Sequence, residues 1–250
     1  MPKKNNQVAQ KKDFIMSRED YIQHLSMRTN EIHVTNKNSK TGMGVLDIAV
    51  PTCCCREDAP CKKDGCYCMK GCQTITSVQA AYLRNLRIYN NDPEDFWAQV
   101  DFKLKHSGLS LCRYFDAGDI PDYDFFEGMV QTALHNPKIK FMAFTKKYFI
   151  VNEWLSENEK LPKNLNIIFS AWDKNWDVPN PYNLPVAYVD FKDKSKNPDF
   201  PKSYSTCPNQ HDKTVTCTTC QKCWNKKIKT VVFQQNFCFC QQVRYCTLSS

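Results

Sequence analysis

No run in this chain approaches the roughly 18 to 20 consecutive apolar residues that a membrane-spanning helix needs. The first 30 residues are polar and charged, so neither a transmembrane segment nor the apolar core of a secretory signal is expected, and no membrane partner. Glycine is scarce, with 7 in 250 residues, and no GxGxxG follows a candidate strand, which argues against a dinucleotide-binding sheet. No Gly-rich phosphate loop, HExxH pair or Ser-His-Asp order is present. Acids are missing from residues 1–12, where Lys3, Lys4, Lys11 and Lys12 stand together, and nearly missing from 202–250, where six Lys and one Arg face only Asp212. The net charge of +8 therefore sits at the two ends, and the middle is close to neutral.

What is present is ordinary for one large domain: 42% hydrophobic and 24% charged residues. With no export signal the expected compartment is the cytoplasm, and that decides how the 15 cysteines are read. In a reducing compartment clustered thiols are metal ligands or catalytic groups more often than disulfides. An odd count also leaves one thiol over in any full pairing.

Two clusters stand out. Cys207, Cys217, Cys220 and Cys223 follow a C-x9-C-x2-C-x2-C spacing. Two-residue gaps turn successive thiolates onto one metal, and the distant cysteine closes the site. Four thiolates suit either a 4Fe-4S cluster or tetrahedral zinc, and the close C-x2-C-x2-C run favours the cluster. His211, inside this stretch, is an alternative ligand. The second cluster, CCCREDAPCKKDGCYCMKGC at 53–72, contains a C-x5-C-x4-C set of Cys55, Cys61 and Cys66, with Cys53, Cys54, Cys68 and Cys72 as additional thiols. Three ligands on a cubane would leave one iron open, as a catalytic zinc keeps one position free; a fourth would close it. The Lys-rich ends would offset the negative charge of such centres and favour the thiolates. Cys112, inside a strand, reads as a small buried hydrophobe, and His106 and His135 as helix-end charges.

Periodicity predicts an α/β fold. Apolar runs at 45–50, 111–115, 139–144, 165–169, 186–189 and 230–233 read as about six strands, apolar enough to be buried on both faces. Helices are expected from Thr76 or Ser77, with Val78, Ala81, Tyr82, Leu86 and Tyr89 on one face, from Asp92-Pro93, with Phe96, Trp97, Val100 and Leu104 inward, and from Asp122 to Asn136, burying Phe126, Met129, Val130, Ala133 and Leu134. Strands separated by crossovers imply a mostly parallel sheet, and we read it as a partial (βα) barrel. Reacting groups gather at the C-terminal edges of such strands. Those edges bring Asp116 and Asp119, then Thr145, Lys146 and Lys147, then Ser170 and Trp172 to one rim, a candidate small-molecule site. Asp and Ser are also the residues that cap helices.

The series NSKTG (38–42), CREDAPCKKDGCYCMKG (55–71), YFDAGDI (114–120), FMAFTKKY (141–148), LPKNLNIIFSAW (161–172), NPYNLPVAYV (180–189) and CTTCQKCW (217–224) resembles the gene product 88 family of phages and mobile elements, over about residues 30–236. The resemblance implies a barrel-like core similar to radical S-adenosylmethionine proteins, a cysteine loop after the first strand, and one or two iron-sulfur clusters. The compartment is then the host cytoplasm. The gaps of five and four differ from the C-x3-C-x2-C loop of the radical enzymes, and Cys68 stands where members usually carry a small residue. Residues 1–30 read as a basic extension, 31–236 as the domain, and 237–250, with Cys238, Cys240 and Cys246, as a tail. Two functions follow: an iron-sulfur protein of radical-enzyme type with S-adenosylmethionine as a candidate cofactor, or a non-catalytic iron-sulfur or zinc protein binding nucleic acid or a host protein.

Overall fold

In a computed structural model, residues 16–36, 41–69, 71–200 and 203–235 are described. The basic run 1–12, most of the NSKTG stretch and the tail with Cys238, Cys240 and Cys246 lie outside them. Helix α1 (Arg18–Ser26), within the stretch read as an extension, is capped by the Ser17 hydroxyl, which accepts from the Asp20 amide. It lies against α3 (Thr76–Asn91), burying Ile22, and Arg18 donates to the Thr74 carbonyl.

The sheet has eight strands. β1 (Val34–Thr35) pairs antiparallel with β2 (Val45–Ile48); β3 (Leu111–Tyr114), β4 (Lys140–Thr145), β5 (Leu165–Ser170) and β6 (Val186–Asp190) follow in parallel. β8 (Thr230–Gln234) lies beside β6, and β7 (Ser205–Thr206) forms the far edge, in the order β1-β2-β3-β4-β5-β6-β8-β7. The fold is thus mixed α/β with an open, mostly parallel sheet. All six expected strands are present, and the two-residue strands β1 and β7 are additions too short to leave a periodic signal.

Local chemistry sets the helix starts. The Asp92 carboxylate accepts from the Asp95 amide at 2.9 Å and Pro93 opens α4 (Pro93–Ser107). The Asp122 carboxylate caps α5 (Tyr123–His135), accepting from the Phe125 amide and from the Tyr89 hydroxyl of α3. The stripe of α5 is buried as expected except for Leu134, which is 54% exposed. Phe125 takes the inward position instead, because the helix is rolled toward α3 and α4, where Phe125 meets Tyr89 and Trp97 edge to face and Phe96 at a tilt. Helix α6 (Tyr148–Asn158) fills the β4 to β5 crossover.

Strand residues alternate between two cores. Leu46, Ile48, Cys112, Tyr114, Phe141, Ala143, Leu165, Ile167 and Phe169 face the helices, against Phe96, Phe126, Met129 and Trp154. Cys112 is fully buried there. On the opposite face Val45, Leu111, Met142, Ile168 and Ala187 are covered by Trp224, with Cys217, Cys223, Phe144 and Phe233 beside it. Helices therefore cover one face and a cysteine-bearing segment the other.

Candidate functional site

The loop after β2 begins where Val50 donates to the Ala117 carbonyl. A 3-10 turn (Thr52–Cys54), the short helix α2 (Cys61–Asp64), Gly65 at φ +104° and a second 3-10 turn (Tyr67–Met69) fold it over the C-terminal ends of β2 and β3. Gly118, at φ +80°, lies beneath, and a Cβ on it would stand 2.3 Å from the Val50 carbonyl oxygen. Cys61 and Cys66 are hydrogen-bonded through their thiols, and Cys55 lies within electrostatic reach of both. Burial raises the Cys55 thiol. The bond to Cys66, then burial, raises Cys61. On Cys66 the bond to Cys61 lowers the pKa, but a second bond to Cys68 and burial outweigh it and push the thiol up to about 11.

The additional thiols separate by position. Cys54 is buried in the helix-side core with Cys53 partly buried beside it, while Cys68 packs with Ala49, Tyr82 and Ala117, its Sγ 3.5 Å from the Asp116 carbonyl. The side chain of Cys72 lies outside the described residues.

The strand ends do meet this loop, and they divide between scaffold and free chemistry. Asp119 accepts from the Thr145 hydroxyl (2.6 Å), the Ile120 amide (2.8 Å) and the Lys146 amide (2.9 Å), so Asp119 and Thr145 tie the end of β3 to that of β4. Burial raises the Asp119 carboxyl, against those bonds. Ser170 contributes its carbonyl, which accepts from the Tyr148 hydroxyl. Lys146 lies over the Trp172 ring at 5.9 Å, and its charge lowers the Cys61 thiol pKa against the other influences. The buried Trp172 Nε1 has no hydrogen-bond partner. Phe115, held at φ +65°, re-aims the chain at the end of β3. Asp116 follows it; its carbonyl accepts from the Tyr67 hydroxyl at 2.6 Å, while its buried Oδ1 is unpartnered.

The sequence reading of the rim did not include Arg56, nor Tyr148 and Trp176 beneath it. Arg56 is paired with Asp58, lies 4.9 Å over the Trp176 ring and 5.8 Å over that of Tyr148, and donates to the Lys146 carbonyl. Its signal was a lone Arg inside the cysteine loop, which charge counting alone does not distinguish from a solvated side chain.

The second cysteine set is built differently. Cys207 precedes a 3-10 turn (Pro208–Gln210), α7 (Cys217–Cys220) carries two more, and Cys223 sits in the turn Lys222–Trp224. Thr216 and Thr219 form a capping box at α7, and Gln221, at φ +51°, reverses the chain after it. All four cysteines line one cavity of about 20 Å³. Burial, with Cys217 and Cys207 adding to it, pushes the Cys223 thiol up to about 12. His211 is exposed and does not line the cavity. Among the described residues no three His, Cys, Asp or Glu side chains stand close enough to clasp a single metal ion.

Between the two sets lies a buried charge cluster on the face opposite the helices. Asp47 of β2 is in register with Arg113 of β3. Arg113 feels Tyr67, Asp47, Asp116 and Cys217, so it stands between the first loop and the second set; these partners outweigh its burial and raise its pKa. Burial lifts the Asp47 carboxyl to about 7, against the pull of Arg113. Asp47 accepts from the Thr41 hydroxyl at 3.0 Å, and the Thr41 carbonyl accepts from both the amide and the hydroxyl of Thr218 in α7.

Among the described residues, no helix is long and apolar enough to cross a membrane. A family model described as gene product 88 matches residues 10–226. No curated protein and no solved structure matches the chain.

Proposed function

The chain belongs to the gene product 88 family, and from that premise we propose that it is an iron-sulfur protein whose loop 53–72 holds a 4Fe-4S cluster at the rim of a partial (βα) barrel. The observation that carries this reading is the hydrogen-bonded pair of Cys61 and Cys66, with Cys55 within electrostatic reach of both and the charges of Lys146 and Asp119 acting on the group, at the C-terminal edge of a parallel sheet. Three thiolates would supply a cluster with one iron available to a small molecule, S-adenosylmethionine among the candidates. Lys146 would offset the charge of the cluster, Arg56 and Trp172 would bound the space above it, and Asp116 would offer its unpartnered oxygen to a ligand. Asp119 and Thr145 hold that rim in shape.

The C-terminal set supports a second reading for its own metal. A cavity of about 20 Å³ has room for one ion or water-sized group, and four thiolates on short capped turns are the donor set of a structural zinc site. We therefore assign Cys207, Cys217, Cys220 and Cys223 to a closed, stabilising centre, with zinc the alternative to a second cluster. Nucleic acid or a host protein as partner rests on the basic ends alone, and the geometry adds nothing to it.

The deciding measurement is iron, acid-labile sulfide and zinc per chain after purification without oxygen. The wild type should carry iron and sulfide, lost on combined Cys-to-Ser changes at 55, 61 and 66. Zinc without sulfide in the wild type would overturn the iron-sulfur reading. If iron is present, a change in the reduced cluster's paramagnetic spectrum on adding S-adenosylmethionine supports an open iron, and an unchanged spectrum removes that part of the proposal.

A further inference from the structure

At the other end of the sheet, where the loops lead into β5, β6 and β8, the chain encloses a cavity of about 240 Å³. Three ammonium groups line it, Lys160, Lys226 and Lys229, against the single carboxylate of Glu159. Among the described residues none of the three lysines forms an ion pair. Lys226 and Lys229 are held in place: the Nζ of Lys226 donates to the Pro162 carbonyl at 2.6 Å, and that of Lys229 to the Asn183 carbonyl at 3.0 Å. Each ammonium keeps two further N–H donors.

Two like charges held together, one of them half-buried, repel each other and are costly to desolvate. Burial and the charge of Lys229 both lower the Lys226 pKa. An anion between them removes both costs at once. The remaining walls are mostly apolar: Leu155, Leu161, Leu184 and Pro185, with the ring of Tyr182 at the mouth and one polar side chain, Asn166, whose amide donates to the Cys223 carbonyl. A bare inorganic anion would leave those walls wet, whereas an ester with a compact apolar or aromatic body would cover them. The cavity is smaller than the usual range for drug-sized ligands, which sets the size of that body.

We propose that this cavity binds a small organic phosphate, its phosphate between Lys226 and Lys229 and its ring or apolar body against Tyr182 and the leucines. The site requires neither cysteine set.

The test is calorimetric titration of the metal-loaded protein with adenosine monophosphate, inorganic phosphate and adenosine. Saturable binding of the nucleotide, tighter than inorganic phosphate and absent with adenosine, is expected. Lys226→Gln and Lys229→Gln should each weaken it about tenfold or more, while Lys226→Arg, which keeps the charge, should stay within a few-fold. Glu159→Gln should tighten it. Circular dichroism and the melting temperature of each variant separate lost binding from lost fold. Equal affinity for inorganic phosphate and the nucleotide would overturn the organic-ester assignment. No saturable binding by any of the three, or binding unmoved in a folded Lys226→Gln, Lys229→Gln double variant, would overturn the site.

Discussion

Asp47 shows how much one buried oxygen can govern. It is 2% exposed, one carboxylate oxygen is bonded to Thr41 and the other has no partner. Burial pushes its carboxyl up to about 7 in the folded chain, from near 4 when unfolded. The folded state therefore holds this proton more tightly, and the stability it contributes is full below about pH 4 and declines as pH rises toward 7. The slope is at most about 1.4 kcal/mol per pH unit. Asp47→Asn should flatten it in urea melts run between pH 4.5 and 7, and an unchanged slope would show that another group carries the dependence. Gly118 is the other single position on which much depends. A methyl group there meets the Val50 carbonyl in a backbone conformation that favours glycine. Gly118→Ala should cost more than about 1 kcal/mol, measured by chemical denaturation.

At the scale of elements, the segment Cys217–Trp224 does the work a helix would do in a symmetric α/β fold. Trp224 is buried among Val45, Leu111, Met142, Ile168 and Ala187, and its Nε1 donates to the Cys112 carbonyl at 3.0 Å. Trp224→Phe keeps most of the apolar contact and loses that bond, for an expected loss of about 1 to 3 kcal/mol. Trp224→Ala should cost about 3 to 5 kcal/mol. Both are read from the shift in denaturation midpoint, and near-equal values would mean that packing contributes little. These elements were unequally legible beforehand. The strands announced themselves by runs of β-branched and aromatic residues, and α4 and α5 by Asp92 and Asp122. That Phe125 rather than Leu134 turns inward was not legible, because it depends on where α3 and α4 stand. The rim was legible as a place. Which of its residues are scaffold was not, since Asp119 and Asp116 look alike until their hydrogen bonds are counted: three for Asp119's carboxylate, and an unpartnered oxygen on Asp116.

Across the whole molecule, the two cysteine sets occupy different places and should answer separately to mutation. On the proposed assignment, changing Cys217, Cys220 and Cys223 together to Ser should remove one metal and lower the melting temperature strongly, because these cysteines sit on the sheet-covering segment. Changing Cys55, Cys61 and Cys66 should remove the other metal with a smaller thermal effect. Metal analysis beside calorimetry checks both, and equal thermal losses would contradict the division into a stabilising and a ligand-facing centre. Spacing and residue type made the two sets visible in the sequence. Their different surroundings, one at a strand edge and one across the sheet face, came only from the topology.

The cover over the second sheet face has an effect on the order of events during synthesis. Val45, Leu111, Met142 and Ile168 are all made before residue 170, yet Trp224, which closes over them, comes more than fifty residues later. A nascent chain that has completed β5 therefore carries an uncovered apolar strip on its central strands, and the strip stays open until the segment Cys217–Trp224 has emerged. Thr218, bonded back to Thr41, then joins late chain to early chain. A chain ended at residue 204 should accordingly bind a hydrophobic dye and stay with chaperones, where the full chain is released.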